Sequence, residues 1–193
     1  MTLYVFITHQ NNINNCYDRI KQMMITDFVV VQGGCIKDDF NDETKVISLN
    51  CNDSYIGLPE KVMKTFHFLI SRDEFKEYTH FCKLDDDMKV IQRFENLEGD
   101  YSGRVHYGDG NRQWHIGRSG NFWDRIPYLG EFKPWCMGGF GYVVSRFALE
   151  KITPDFKYLD HIYEDVYIGL LMFNAGIDPT NIDTKKYLLS PDH

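Results

Sequence analysis

The sequence predicts an α/β fold with a mixed, mainly parallel central sheet flanked by helices. Three observations predict it. Short β-branched and aromatic runs alternate with longer amphipathic stretches through the first half of the chain, the order that builds parallel sheets. One such run ends in Asp85-Asp86-Asp87, and the C-terminal ends of strands in these sheets are where ligands are held. With 43% hydrophobic and 15% aromatic residues over 193 positions, the chain is too apolar for disorder and long enough to bury one core. No repeat or low-complexity segment interrupts it.

The elements follow in order. Leu3 to Thr8 reads as the first core strand; its apolar run is far too short for a signal peptide or membrane span, and no basic leader precedes it. A helical stretch over Asn14 to Thr26 leads to a strand at Phe28 to Gln32, which Gly33-Gly34 ends as a turn, and to a further strand at Lys45 to Leu49. Pro59 suits the first turn of a helix, where its missing N–H is no loss. Val62, Met63, Phe66, Leu69 and Ile70 then keep core spacing, so Leu58 to Ser71 is expected to be helical. His80 to Leu84 is the strand that delivers the aspartates. Beyond them, Gly99 to Pro134 is rich in Gly, Arg, Tyr and Trp, which predicts binding loops and a β-ribbon from Arg104 to Tyr107 and Gln113 to Ile116. A strand at Phe140 to Ser145, a short helix to about Ile152 and a buried helix from Glu164 to Asn174, closed near Gly176 and Pro179, complete the chain.

Composition excludes several classes. A net charge of −7 argues against a nucleic-acid surface, because a phosphate backbone would have to approach an acidic protein. Cys16, Cys35, Cys51, Cys82 and Cys136 are odd in number and widely spaced without a C-x-x-C pair. Neither a zinc knuckle nor a disulfide framework follows, and buried thiols in a reducing compartment are expected. The expected location is therefore cytoplasmic, as a soluble protein without a membrane span.

Three adjacent carboxylates repel one another and call for a cation. Hard oxygen ligands suit Mg²⁺ or Mn²⁺, which are commonly held by one or two carboxylates together with substrate phosphates. A solvated acidic turn is the plainer alternative. An EF-hand fails locally, since the glycine needed at the sixth loop position is Val90. Gly138-Gly139-Phe140-Gly141 has the wrong spacing for a dinucleotide fingerprint and precedes a strand, and no Walker A sequence or zinc-protease His pair occurs. Asp165 stands at the start of a buried helix. It is either a rigidly placed proton acceptor or an ordinary first-turn acid favoured by the macrodipole.

Four stretches come in order: Asp53-Ser54-Tyr55-Ile56-Gly57-Leu58-Pro59-Glu60-Lys61, Lys83-Leu84-Asp85-Asp86-Asp87, Trp135 to Ser145, and Glu164-Asp165-Val166-Tyr167-Ile168-Gly169. Together they resemble the Fringe and β-1,3-galactosyltransferase family of GT-A glycosyltransferases over Ile47 to Gly169. The Arg-rich segment usual near that family's N-terminus is reduced here to Arg19-Ile20-Lys21-Gln22, and no anchor is seen, so the chain looks like a compact, anchorless version of bacterial or viral type. Golgi residence is not carried over.

The resemblance implies a single Rossmann-like GT-A domain over 1–193, with 1–98 as the nucleotide- and donor-binding half and 99–193 as the acceptor-binding and catalytic half. It implies a metal-dependent, inverting transfer of a sugar from a UDP-sugar to a glycan hydroxyl, with Mn²⁺ or Mg²⁺ as cofactor. By resemblance Asp87 coordinates the metal, Asp85 and Asp86 meet metal-bound water, ribose or donor sugar, and Asp165 is the general base, with Glu164 next in line. GT-A enzymes commonly recruit a C-terminal His, which makes His193 an additional ligand candidate. Thr8 and His9, after the first strand, lie where a nucleotide base would be received, and Lys61 and Lys83 are placed to meet phosphate or uracil oxygens. On the residues themselves, Gly138 and Gly139 permit close backbone approach to a sugar, and Trp135 is either a stacking face for a sugar or a core tryptophan. Two other functions stay open at this level: a metal-dependent glycoside or phosphate-ester hydrolase, and a non-catalytic carbohydrate-binding module.

Overall fold

The computed structural model describes residues 1–94, 97, 99–118, 125–152 and 163–190. At the centre of the fold β1 (Thr2–Ile7) lies between β2 (Phe28–Gln32) and β5 (His80–Asp85), parallel to both, and β4 (Val46–Ser48) continues the parallel set beyond β2. The edge strand β3 (Asp39–Asn41) runs antiparallel to β4. On the other side β10 (Tyr142–Ser145) is antiparallel to both β5 and β7 (Tyr101–Gly103), and β11 (Thr180–Asn181) closes the sheet parallel to β7. The sheet order is thus β11-β7-β10-β5-β1-β2-β4-β3, mixed and mainly parallel, with strands from both halves of the chain interleaved. Two short ribbons flank it: β6 (Lys89–Val90) with β12 (Leu188–Leu189), and β8 (Val105–His106) with β9 (Trp135–Cys136).

Period-two alternation in the strands sorts the core into two layers. Leu3, Val5 and Ile7 join Val29 and Val31 in the layer that also holds Val62, Met63, Phe66 and Leu69 of α2 (Leu58–Ser71). α3 (Arg146–Ile152) and α4 (Glu164–Asn174) pack in the same layer. Tyr4, Phe6, Val30 and Leu84 point the other way, where Cys16 and Ile20 of α1 (Ile13–Ile20) cover them. Each such buried side chain contributes roughly 1.5–3 kcal/mol. All five cysteines are free, four of them buried, and burial pushes Cys16 up to about 12 and Cys51 up to about 11.

Where expectation and structure differ, local reasons are visible. α1 stops at Ile20 rather than Thr26, because Lys21 to Met23 curl into successive turn bonds and Met24 faces solvent on the way to β2. Gln113 to Ile116 is no strand: the Trp114 N–H donates to the Asn111 carbonyl and the Ile116 N–H to that of Gln113, so the segment turns on itself. The ribbon partner of β8 is β9 instead. The strand expected from Phe140 starts at Tyr142, because Gly138–Phe140 form a 3-10 turn and Gly141 takes φ +70°. A Cβ at Gly141 would also lie 2.7 Å from Leu188 Cδ1, so this position requires glycine twice over.

Candidate active site

β5 ends at Asp85, directly beside Ile7 at the end of β1, so the aspartate turn leaves the sheet at the C-terminal edge of its parallel core. The three carboxylates have separate surroundings. Asp86 accepts hydrogen bonds from the Thr8 hydroxyl and the Asn12 side-chain amide, both at 2.5 Å on Oδ2, while Arg19 donates to its backbone carbonyl. Asp85 Oδ1 lies 2.6 Å from Lys83 Nζ. Asp87 is exposed, and burial of its surroundings together with the charges of Asp85 and Asp86 pushes it above the ordinary carboxylate value. Thr8 is buried under this turn and His9 is exposed next to it.

A second cluster ties the ends of β1 and β2 to the entry of α2. Asp53 accepts from the Gly33 N–H and the Gln10 N–H, each at 2.9 Å, and pairs with Lys61 at 2.5 Å. Lys61 also donates to the Thr8 carbonyl at 2.9 Å. Burial alone would push Asp53 up, but Lys61 and the two amides hold it below its ordinary value. Asp53 is the residue that motif reading passed over, although its place at the head of the Asp-Ser-Tyr stretch was the available signal.

Lys61 and Lys83, expected to meet phosphate or uracil oxygens, are both buried with their ammonium groups engaged within the protein, where an unpaired ammonium would carry a large desolvation cost; Lys83 also lines the pocket. Lys83, 1% exposed, sits 2.6 Å from Asp85 and 3.3 Å from Glu164 Oε2. Burial pulls its pKa down, but the two carboxylates outweigh that and hold it above the ordinary lysine value.

α4 opens with Glu164 and Asp165. Glu164 is buried, accepts a short bond from the Tyr142 hydroxyl, and is pushed by burial up to about 7 despite Lys83. Asp165 Oδ2 accepts the Gly138 N–H at 2.8 Å and Oδ1 accepts the Val166 N–H at 2.9 Å; burial raises its pKa against these bonds. A Cβ at Gly138 would lie 3.1 Å from Glu164 Oε2 and 3.4 Å from Lys83 Nζ, so glycine lets this turn sit close to the carboxylates, and it lines the pocket beside them. The neighbouring Gly139 lines the pocket, and its carbonyl accepts from the Ser190 hydroxyl at 2.7 Å.

Asp85, Glu164 and Asp165 share a pocket of about 550 Å³. The loops that flank β8 and β9 also contribute to its lining. Trp135 is 5% exposed, with His106 stacked at 4.4 Å and Phe132 at 5.5 Å between ring centroids, so little of its ring is left for a ligand.

Among the described residues no group of three or more His, Cys, Asp or Glu converges on a point that would hold a metal ion. His193 lies outside the described residues. The donor set still fits Mn²⁺ or Mg²⁺, because such an ion needs only one or two protein carboxylates when a diphosphate supplies the rest, and Asp87 is an exposed, charge-crowded carboxylate. No helix among the described residues is long and apolar enough to cross a membrane.

Among solved structures, the chain is similar to A197 from STIV at 15% identity, covering 99% of this chain and 90% of that one with a TM-score of 0.47. It is also similar to a candidate glucose-1-phosphate thymidylyltransferase from Bacillus anthracis, in complex with a sucrose, at 11% identity over 94% and 86% of the two chains with a TM-score of 0.49. Neither likeness bears on what this chain does. No curated protein matches it. The model of the family described as Galactosyltransferase matches residues 28–183, a stretch that contains Asp53 and Lys61, the aspartate turn, the Gly138 turn and the start of α4. With that match running over most of a mixed, mainly parallel sheet, the chain belongs to the galactosyltransferase family and is a hexosyltransferase-type enzyme.

Proposed function

We propose that the chain is a metal-dependent, inverting glycosyltransferase that moves a hexose from a UDP-sugar to a hydroxyl of a glycan or glycoconjugate. The observation that carries this reading is one pocket reached by two carboxylate sets: Asp85, leading into the aspartate turn, and Asp165 at the rigid start of α4. The donor lies against Thr8, His9 and the turn, so residues 1–98 serve the donor and 99–193 the acceptor. Asp86, fixed by Thr8 and Asn12, holds the turn in register with the end of β1.

Each Asp165 oxygen accepts one backbone N–H, which locks the carboxylate while leaving lone pairs for a further donor. Asp165 takes the proton of the acceptor hydroxyl as that oxygen attacks the anomeric carbon. The carbon–oxygen bond to the diphosphate breaks, and its electron pair leaves with UDP; a single displacement inverts the configuration. Lys83 keeps Asp85 and Glu164 apart from each other's charge and fixes both beside the reacting centre. Mn²⁺ or Mg²⁺, when bound, supplies positive charge for the departing diphosphate, and Asp87 would hold it with Asp85 in reach.

Calorimetric titration of UDP, with and without Mn²⁺, tests the reading on wild type and Asp87→Ala. Loss of the carboxylate is expected to weaken metal-dependent UDP binding by about tenfold or more. Equal affinity in the variant would remove Asp87 from the metal site, and a wild-type protein that transfers sugar from none of a panel of UDP-hexoses would overturn the function.

A further inference from the structure

We propose that Trp114 is the platform on which the acceptor's pyranose ring stacks, on the face of the indole opposite the one that Arg118 covers. The assignment rests on the glycosyltransferase reading above. The pocket holds Asp85 and Asp165 but none of Thr8, His9, Asp86 or Asp87, so it opens on the acceptor side of the aspartate turn. Its lining also includes Asn111, Trp114 and Arg118. Trp135 is 5% exposed, with His106 and Phe132 stacked on it, whereas Trp114 is 53% exposed with Arg118 over one face. The uncovered part of that ring in the pocket lining offers the apolar surface that the C–H face of a pyranose seeks.

The ring is held ready rather than left on a loose loop. The turn closes through bonds from the Trp114 N–H to the Asn111 carbonyl and from the Arg118 N–H to that of His115. His115 between them is fully buried, 3.1 Å from the Tyr163 hydroxyl and 2.8 Å from the Ile126 carbonyl. Tyr163 donates in turn to the Asn111 carbonyl at 2.7 Å, so the residue that precedes the Glu164–Asp165 pair is bonded to the turn that carries Trp114. Platform and base are thereby fixed to one frame.

Arg118 lies 4.1 Å over the Trp114 ring and 5.9 Å from that of Tyr55, and no carboxylate among the described residues forms an ion pair with it. Its guanidinium therefore covers one face of the indole as a cation–π partner and leaves the other face for a ligand. Asp85, Glu164 and Asp165 face the same space as Lys83 and Arg118, so the pocket carries no surplus of positive charge to select an anionic acceptor. The chemical class that fits is a neutral pyranose.

Transfer is measured with a panel of UDP-hexoses and Mn²⁺ onto the methyl β-pyranosides of galactose, glucose and N-acetylglucosamine, and onto methyl β-glucuronide. Trp114→Ala is expected to raise the acceptor KM about tenfold, or about 1.4 kcal/mol, while UDP affinity by calorimetry and the melting temperature stay at wild-type values. Trp114→Phe, which keeps a flat ring, is expected to recover most of the loss, an effect a merely structural residue would not show in KM alone. An acceptor KM within about twofold of wild type in Trp114→Ala, or the glucuronide proving the best acceptor, would overturn this assignment and leave the enzyme reading standing. Absence of transfer by wild type to every acceptor from every donor would overturn both.

Discussion

Asp53 and Glu164 are both carboxylates beside a buried lysine, yet their proton affinities move in opposite directions. At Asp53 a single carboxylate receives one ammonium and two backbone N–H groups, and its pKa falls. At the start of α4 one ammonium serves Asp85 and Glu164 together with Asp165 close by, and Glu164 rises to about 7. Burial raises both carboxylates, more so the deeply buried Glu164, and donor supply per carboxylate then decides which way the balance falls. Where donors exceed what one charge needs, the cluster is a clasp that joins β1, β2 and α2; where they fall short, the carboxylates retain acceptor capacity that faces a pocket.

The largest expected effect tests the pocket side of this contrast. Asp165→Asn keeps the shape but removes the proton acceptor, so turnover should fall about 10²- to 10⁴-fold, or roughly 3 to 5 kcal/mol of barrier. Folding and UDP binding should persist. Turnover within a few-fold of wild type would show that Asp165 is a first-turn acid, and Glu164 would be tested next.

Lys61→Met probes the clasp in the opposite sense. It leaves Asp53 without its ammonium, and breaking a buried pair in this way should cost about 3 kcal/mol in urea unfolding. An unchanged unfolding midpoint would mean that the two backbone amides suffice and that the clasp is weaker than its geometry suggests.

The sharpest contrast lies in the pH dependence of stability. Glu164 has an ordinary value of 4.5 and a folded value of about 7, so the folded protein binds its proton more tightly; stability is highest below 4.5 and falls as pH rises to about 7. Asp53 is held below 3.8, so its contribution is present above that pH and is lost as pH falls further. Glu164→Gln should flatten the slope between about 4.5 and 7, and Asp53→Asn should remove part of the acid limb alone. Melting temperatures measured across pH on both variants check this, and identical curves would erase the distinction between the regions.

Much of the framework was legible in the sequence because its signals are local. β2 at Phe28–Gln32, α2 at Leu58–Ser71 and α4 at Glu164–Asn174 occupy the expected spans. A β-branched run ended by Gly33-Gly34, a helix with Pro59 in its first turn, and an apolar stretch opened by two acids each carry their own start and stop. β3 was not legible: three residues with exposed ends have no alternation to read, and only pairing with β4 makes them a strand. The turn at Gln113 to Ile116 was misread as ribbon for a related reason, since His115 is held by Tyr163 far along the chain. The site divides the same way. By itself the sequence determined that Asp85 to Asp87 would leave the C-terminal end of a core strand and that Asp165 would open a buried helix, because strand and helix periodicity fix those positions locally. Tertiary structure alone decided that Lys61 and Lys83 are internal counter-ions, that Trp135 is buried against His106 and Phe132 and that Trp114 stays half exposed, because burial and charge pairing depend on partners that only folding brings within reach.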